Sequence, residues 1–185
     1  VDASLSGSGA ARAPRLLAEA ALLAVVVAAA LFAVRFHERG DSPTFDEAIH
    51  LFSGAEALED GSGWLNPEHP PLLKLAGAAA LRPLRLATPC SILPCTASPF
   101  NGYLRWLYAN RAPADAIVRA GRRPFPWLLA LLAVALHLAV RPFAGPAAGL
   151  LAAGVVALDP TFVAHAAYVH TDVGAALAFL GVTVL

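Results

Sequence analysis

The sequence predicts an all-α protein, a polytopic transmembrane helical bundle with interfacial helices in its first extracytoplasmic loop. Three observations carry this reading. Of 185 residues, 58 % are hydrophobic and 14 % are charged, whereas soluble domains carry about a quarter charged residues. Mean hydropathy is +0.63. The apolar residues, mostly Ala, Leu and Val, gather in runs close to the roughly 20 residues that cross a bilayer core. Aromatics are only 8 %, which argues against a large soluble aromatic core. The net charge is zero, so nothing in bulk electrostatics favours nucleic acid as a partner.

The first span is expected at about 16–35, around "LLAEAALLAVVVAAALFAV". Its one charge, Glu19, lies in the first turn, where it can snorkel with Arg12 and Arg15. A signal peptide is the competing reading, but the apolar run is long and "AVRFHERG" is a poor cleavage site. The second span is expected at about 124–140 and is broken by Arg141, Pro142 and Gly145. The third, about 142–158, is rich in small residues that permit close helix contact in lipid. A fourth starts at Val173 and runs to Leu185. The chain contains no Met and stops inside an apolar run. It therefore reads as the N-terminal part of one longer membrane module.

Residues 71–87 are apolar but interrupted. On a helical wheel Arg82 lies about 80° from Lys74 and Arg85 about 20° from it. The three cations then share one face, as on a helix lying in the interface, with Pro83 kinking or ending it.

Parity sets the topology. With Arg12 and Arg15 cytoplasmic, residues 36–123 and 159–172 both fall outside. Asp46, Glu47, Glu68, His69, Asp159, His165, His170 and Asp172 then share one side. The outer loop is rich in arginine, against a simple positive-inside count, but loops longer than about 60 residues largely escape that rule.

Three acidic stretches lie on that side. "SPTFDEAIHLFSGAEALEDG", 42–61, reads as a helix capped by Ser42 or Asp41, with Pro43 in the first turn and Gly61 at the stop. Phe45, Ala48, Phe52 and Ala55 give it an apolar face. Asp46 and Glu47 sit where a helix dipole favours carboxylates, and ordinary helix-start acids would look the same. Asp46 and His50 share a face. In "NPEHPPLLK", prolines on both sides hold Glu68 and His69. That pair offers too few ligands for a metal site, and a Pro-rich turn explains it equally. In "LDPTFVAHAAYVHTD", Asp159-Pro160 ends the third span and Thr171-Asp172 caps the fourth. His165 and His170 are five apart, not metal-spaced on a regular helix, and read as interfacial histidines. Arg122 and Arg123 are either interface anchors or a phosphate site. His137 lies inside the second span and reads as a neutral histidine packed between helices. Cys90 and Cys95 share the outer loop, as a disulfide or as two thiols.

The order of these motifs resembles the N-terminal part of the protein O-mannosyltransferase-like GT-C glycosyltransferases. The likeness covers about 36–185: "DE" on a short outside helix, "PEHPPLLK", an Arg-flanked span, a short span, then "LDPTFVAHAAYVHTD". It implies a GT-C type bundle and an inverting enzyme, with transfer from a polyprenyl-phosphate-linked sugar to a protein, lipid or glycan acceptor. It also implies an extracytoplasmic site. On that likeness Asp46 is the catalytic base, Glu47 supports it and Asp172 faces it. Glu68 and His69 line the site, and basic residues, with Lys74, Arg122 and Arg123 the candidates, hold the donor phosphate. The likeness fixes no cofactor, and a divalent metal is compatible with it. The stretch 88–122 has no counterpart in the pattern.

The chemistry is consistent with the residues. A sugar phosphate already carries a leaving group, so a carboxylate base and a cation suffice. The sequence has no P-loop, no GxGxxG and no HExxH. A transporter segment, with His137 as its intramembrane group, and a non-catalytic scaffold are the alternative readings. The Ala- and Arg-rich composition points to a GC-rich bacterium and hence to its plasma membrane.

Overall fold

A computed structural model describes residues 7–61, 66–89 and 99–184. Among the described residues the chain is helical, with no strand. Helix α1 is Gly7–His37, α2 is Phe45–Asp60, α3 is Pro71–Ala79, α4 is Pro99–Tyr108 and α5 is Ala114–Arg122. Helix α6 is Phe125–Leu158, α7 is Pro160–Ala166 and α8 is Asp172–Val184. A 3-10 turn occupies Arg82–Leu84.

Two helical runs are long and apolar enough to cross a membrane, Ala13–His37 and Ala114–Leu158. The first buries Ala30 and Val34 in a seam and exposes Leu17, Val25, Phe32 and Phe36. The second contains α5 and α6. Expected spans 124–140 and 142–158 are two arms of α6, and the break falls at Gly145 rather than at Arg141-Pro142. Gly145 has φ 85° and ψ 171°, a region essentially closed to residues with a Cβ. Pro142 stays helical, and Pro146 starts the returning arm, where its missing N–H costs nothing.

The arms run back along each other. Gly149 of the second arm lies against the His137 ring and carbonyl of the first. Leu129, Leu132 and Ala133 share a buried core with Ala153 and Ala157, closed by Ala30 and Val34 of α1. Small side chains allow this close approach. Helix α8, apolar and 13 residues long, covers the described part of the expected fourth span.

The end of the hairpin near Gly145 carries a polar cluster. Glu19 of α1 meets His137 Nε2 at 2.9 Å and Arg141 Nε at 2.5 Å. Glu19 thus pairs across to α6, and His137, packed between helices as expected, has an acidic partner. Glu19 and His37 are 18 residues apart on α1, about 27 Å of helix rise. The cluster and the other end of α1 are thus separated by nearly the thickness of a bilayer core.

At that other end, α2 to α5 form a compact cap. Its core joins Leu51 and Phe52 of α2, Tyr103, Trp106 and Leu107 of α4, Ile117 and Val118 of α5, and Phe125. Despite the low aromatic content, four rings are concentrated here: Phe52 meets Trp106 edge to face, with ring centres 5.9 Å apart, and Tyr103 and Phe125 are buried in the same cluster. The Trp106 indole N–H donates to Ala87 O at 2.9 Å. Helix α2 is capped at Thr44, two residues beyond Ser42 and three beyond Asp41, so Pro43 precedes the helix, which stops at Gly61 with φ 76°. Phe45 stands outside the apolar face, 61 % exposed.

The interfacial helix expected over 71–87 is not continuous. Helix α3 ends at Ala79 and the chain turns through Arg82–Leu84, because Pro83 cannot extend an α-helix. Lys74 is buried, whereas Arg82 and Arg85 are exposed, so the three cations do not share a face.

Helices α2 and α3 touch backbone to side where α2 presents Gly54. A Cβ there would overlap the Lys74 carbonyl and press on Ala78. Gly54→Ala is therefore expected to push α3 away despite its better helix propensity. The expected loss is about 1–3 kcal/mol, as for overpacking, read as a lower unfolding midpoint in detergent.

Candidate functional site

The site is built on the N-terminal turns of α2, the turn 66–70, and the segment 165–172. Asp159 caps α7, its Oδ1 accepting from the N–H groups of Thr161 and Phe162 at 2.8 and 3.2 Å. Helix α7 ends at Ala166. The chain then turns through 167–171 before α8 starts at Asp172.

That turn is clamped from beneath by Glu47, which is fully buried. Glu47 Oε1 accepts from Val169 N at 3.0 Å, and Oε2 accepts from Thr44 N at 2.9 Å. Arg122 completes the clamp: its Nε and Nη2 each lie 2.7 Å from one Glu47 oxygen. Nη2 also donates to Ser42 O at 3.1 Å, and the guanidinium lies 4.9 Å from the Tyr168 ring centre. Burial alone would lower the Arg122 pKa, but the hydrogen bonds and charge of Glu47 hold it above its ordinary value. The Tyr168 hydroxyl donates to Asp41 Oδ2 at 2.9 Å. Burial and that hydrogen bond raise the phenol pKa.

This clamp changes the expected division of labour. Arg122 is 1 % exposed and its charge is neutralised in a bidentate pair, so it is not open to a donor phosphate. Glu47 supports Asp46 only by fixing the backbone around it. Lys74 is also withdrawn: its Nζ donates to Asn66 O at 2.6 Å. Burial lowers its pKa, with Glu68 acting weakly against this. Lys74 thus braces the turn, where Asn66 holds a left-handed φ of 61° and donates to Glu68 Oε1 at 2.5 Å. Glu68 itself faces outward. Arg123 is exposed, and its carbonyl accepts from Arg35 Nη2 at 3.4 Å.

Above the clamp the three acidic stretches meet. His69 Nδ1 lies 3.2 Å from Thr171 Oγ1. His170 Nε2 lies 3.6 Å from Asp46 Oδ2, and its Nδ1 lies 3.0 Å from Asp172 Oδ2. His165 Nδ1 reaches the same Asp172 oxygen at 2.5 Å. Asp46 and Asp172 are both half-exposed, at 53 % and 51 %. Hence Asp46, His69 and Asp172 converge, as the sequence implied.

His165 and His170 are not on one regular helix, because α7 ends between them, so their spacing of five did not exclude a shared ligand. Together with Asp172 they place three donor atoms within 4.8 Å of one another. His50, four residues from Asp46 on α2, points inward. Its ring is 2 % exposed, and neither nitrogen has a hydrogen-bond partner. It lies edge-on to His69 and His170, with centres 4.8 and 6.2 Å apart. Burial, followed by the charges of His69, His170 and Lys74, lowers its pKa to about 4, so His50 is neutral at pH 7.

Beside His165 and Asp172 opens an apolar groove of about 270 Å³, lined also by Thr161, Phe162, Val173 and Ala176. The site thus has an acidic, histidine-rich head and an apolar flank. Cys90 and Cys95 lie outside the described residues. Comparison with family models, curated proteins and solved structures finds no match for this chain.

Proposed function

We propose that this protein is the N-terminal part of a polytopic membrane glycosyltransferase of the O-mannosyltransferase-like GT-C type. In this reading it moves a sugar from polyprenyl phosphate to an extracytoplasmic hydroxyl. One observation carries it: Asp46, His69 and Asp172, from three distant stretches, meet at one end of the helical hairpin, next to an apolar groove. That combination suits a lipid with a charged head. The exposed apolar side chains of α1 and α6 and the separation from the Glu19 cluster support a bilayer between the two ends.

In this reading Asp46 removes the proton of the acceptor hydroxyl. The hydroxyl oxygen attacks the anomeric carbon opposite the phosphate. The carbon–oxygen bond to phosphate breaks, and the lipid phosphate leaves with the bonding electrons, inverting the centre. Half-exposed, Asp46 is accessible for this role. The lipid chain enters along Phe162, Val173 and Ala176. Arg123 is the one exposed cation among the three proposed for the phosphate. The Glu19–His137–Arg141 cluster favours a transporter, but its charges are paired with one another at one end of the helices.

The test is release and transfer of radiolabelled sugar from polyprenyl phosphate by the intact protein in proteoliposomes. Transfer is expected, and Ala176→Trp, which fills the groove, is expected to raise KM for the lipid donor by about tenfold or more, equal to about 1.4 kcal/mol of lost binding. Absence of transfer from every polyprenyl-phosphate sugar offered would overturn the assignment.

A further inference from the structure

We infer that His165, His170 and Asp172 form a binding site for one divalent transition-metal ion of the zinc class. The three residues supply two imidazoles and one carboxylate, a donor set suited to Zn²⁺ or Co²⁺. The inference goes beyond the transferase reading and does not depend on it.

The geometry is close to that of a site. Ligands about 2.1 Å from a tetrahedral zinc stand about 3.4 Å from each other. Here His165 Nδ1 and His170 Nδ1 lie 2.5 and 3.0 Å from Asp172 Oδ2, and the set spans at most 4.8 Å. Small side-chain rotations separate the donors to the required distance. The backbone is already held, because the turn between the ligands is fixed by Glu47 on Val169 N.

Simple imidazole–carboxylate pairing leaves part of this arrangement unexplained. One Asp172 oxygen faces both rings, and His170 Nδ1 is buried without a hydrogen bond of acceptable geometry. A cation between the three groups satisfies both lone pairs and the carboxylate at once. The opposite nitrogen of His170 faces Asp46 Oδ2 at 3.6 Å. A carboxylate behind a ligand histidine sets its tautomer and orientation. His50 adds an independent sign, as a fully buried imidazole with both nitrogens unpartnered beside His170.

His165 and Asp172 also line the apolar groove. With three protein ligands, a fourth position stays open. The chemical class that fits there is an oxyanion carried on an apolar chain. Under the transferase reading, which this consequence alone requires, the ion meets the leaving phosphate and supplies the charge that buried Arg122 does not.

The test is Co²⁺ titration of the intact protein in detergent, purified with an affinity tag that contains no histidine. The expected result is one equivalent of Co²⁺ with visible d–d absorption, displaced by Zn²⁺. His165→Gln and His170→Gln, each checked for an unchanged unfolding midpoint without metal, are expected to weaken binding by about 100-fold. Absence of saturable absorption in the wild-type protein would overturn the site. So would one equivalent bound with equal affinity by both variants, since the ion would then lie elsewhere. Neither outcome uses sugar transfer, so this site can fail while the transferase reading stands, and the reverse.

Discussion

Arg122→Met is expected to cost about 3–5 kcal/mol of stability, the usual effect of leaving one member of a buried ion pair alone. Glu47 would keep its charge inside a site where it is fully buried, facing only the N–H groups of Thr44 and Val169. Glu47→Gln should be nearly as damaging, because it strands the guanidinium. The double variant Glu47→Leu, Arg122→Met is expected to be more stable than either charge-stranding single variant, since no unpaired charge remains. Unfolding midpoints in detergent measure all three. The same series decides what Arg122 does. A phosphate ligand would leave the fold intact and raise KM for a lipid donor when replaced. The clamp predicts the opposite, a protein that loosens before any donor is offered. An Arg122→Met protein as stable as wild type would remove the clamp.

The helical class was legible because composition and run length depend little on tertiary detail. Residues 16–35 needed nothing but their hydropathy. The hairpin was half legible: the small residues of 142–158 announced close packing, and Arg141, Pro142 and Gly145 marked a break without showing which of them reverses the chain. Only Gly145 adopts the conformation that reverses the chain. The convergence of Asp46, His69 and Asp172 followed from counting passes of the chain. The roles of individual cations did not follow, because a wheel projection assumes an unbroken helix. Pro83 breaks it, Lys74 turns to the Asn66 carbonyl eight residues back, and Arg122 finds buried Glu47 far away in the chain. Contacts 75 residues apart in sequence, such as Arg122 with Glu47, leave no local signature. The spacing of His165 and His170 rules out a shared ligand only on a regular helix, and α7 ends between them. The sequence signal is an Asp two residues beyond the second histidine.

Asp46→Asn is expected to abolish transfer while leaving the fold intact, a fall in kcat of about 10²–10⁴-fold. The two halves of this expectation have separate physical grounds. The fold is indifferent because the side chain is half-exposed and the imidazole it faces, His170, is 3.6 Å away. Asparagine has the same shape and keeps an acceptor oxygen in the first turn of α2. Catalysis is not indifferent, because an amide cannot take the hydroxyl proton at any useful pH. Unfolding midpoint, Co²⁺ binding and sugar transfer, measured on one preparation, separate the possibilities. A stable variant that still binds cobalt but transfers no sugar identifies Asp46 as the base. Loss of cobalt binding together with transfer makes it instead a positioning residue acting through His170. Transfer at the wild-type rate removes it from the reaction, and Asp172 then becomes the carboxylate to test, since it is the other half-exposed acid at the mouth of the groove.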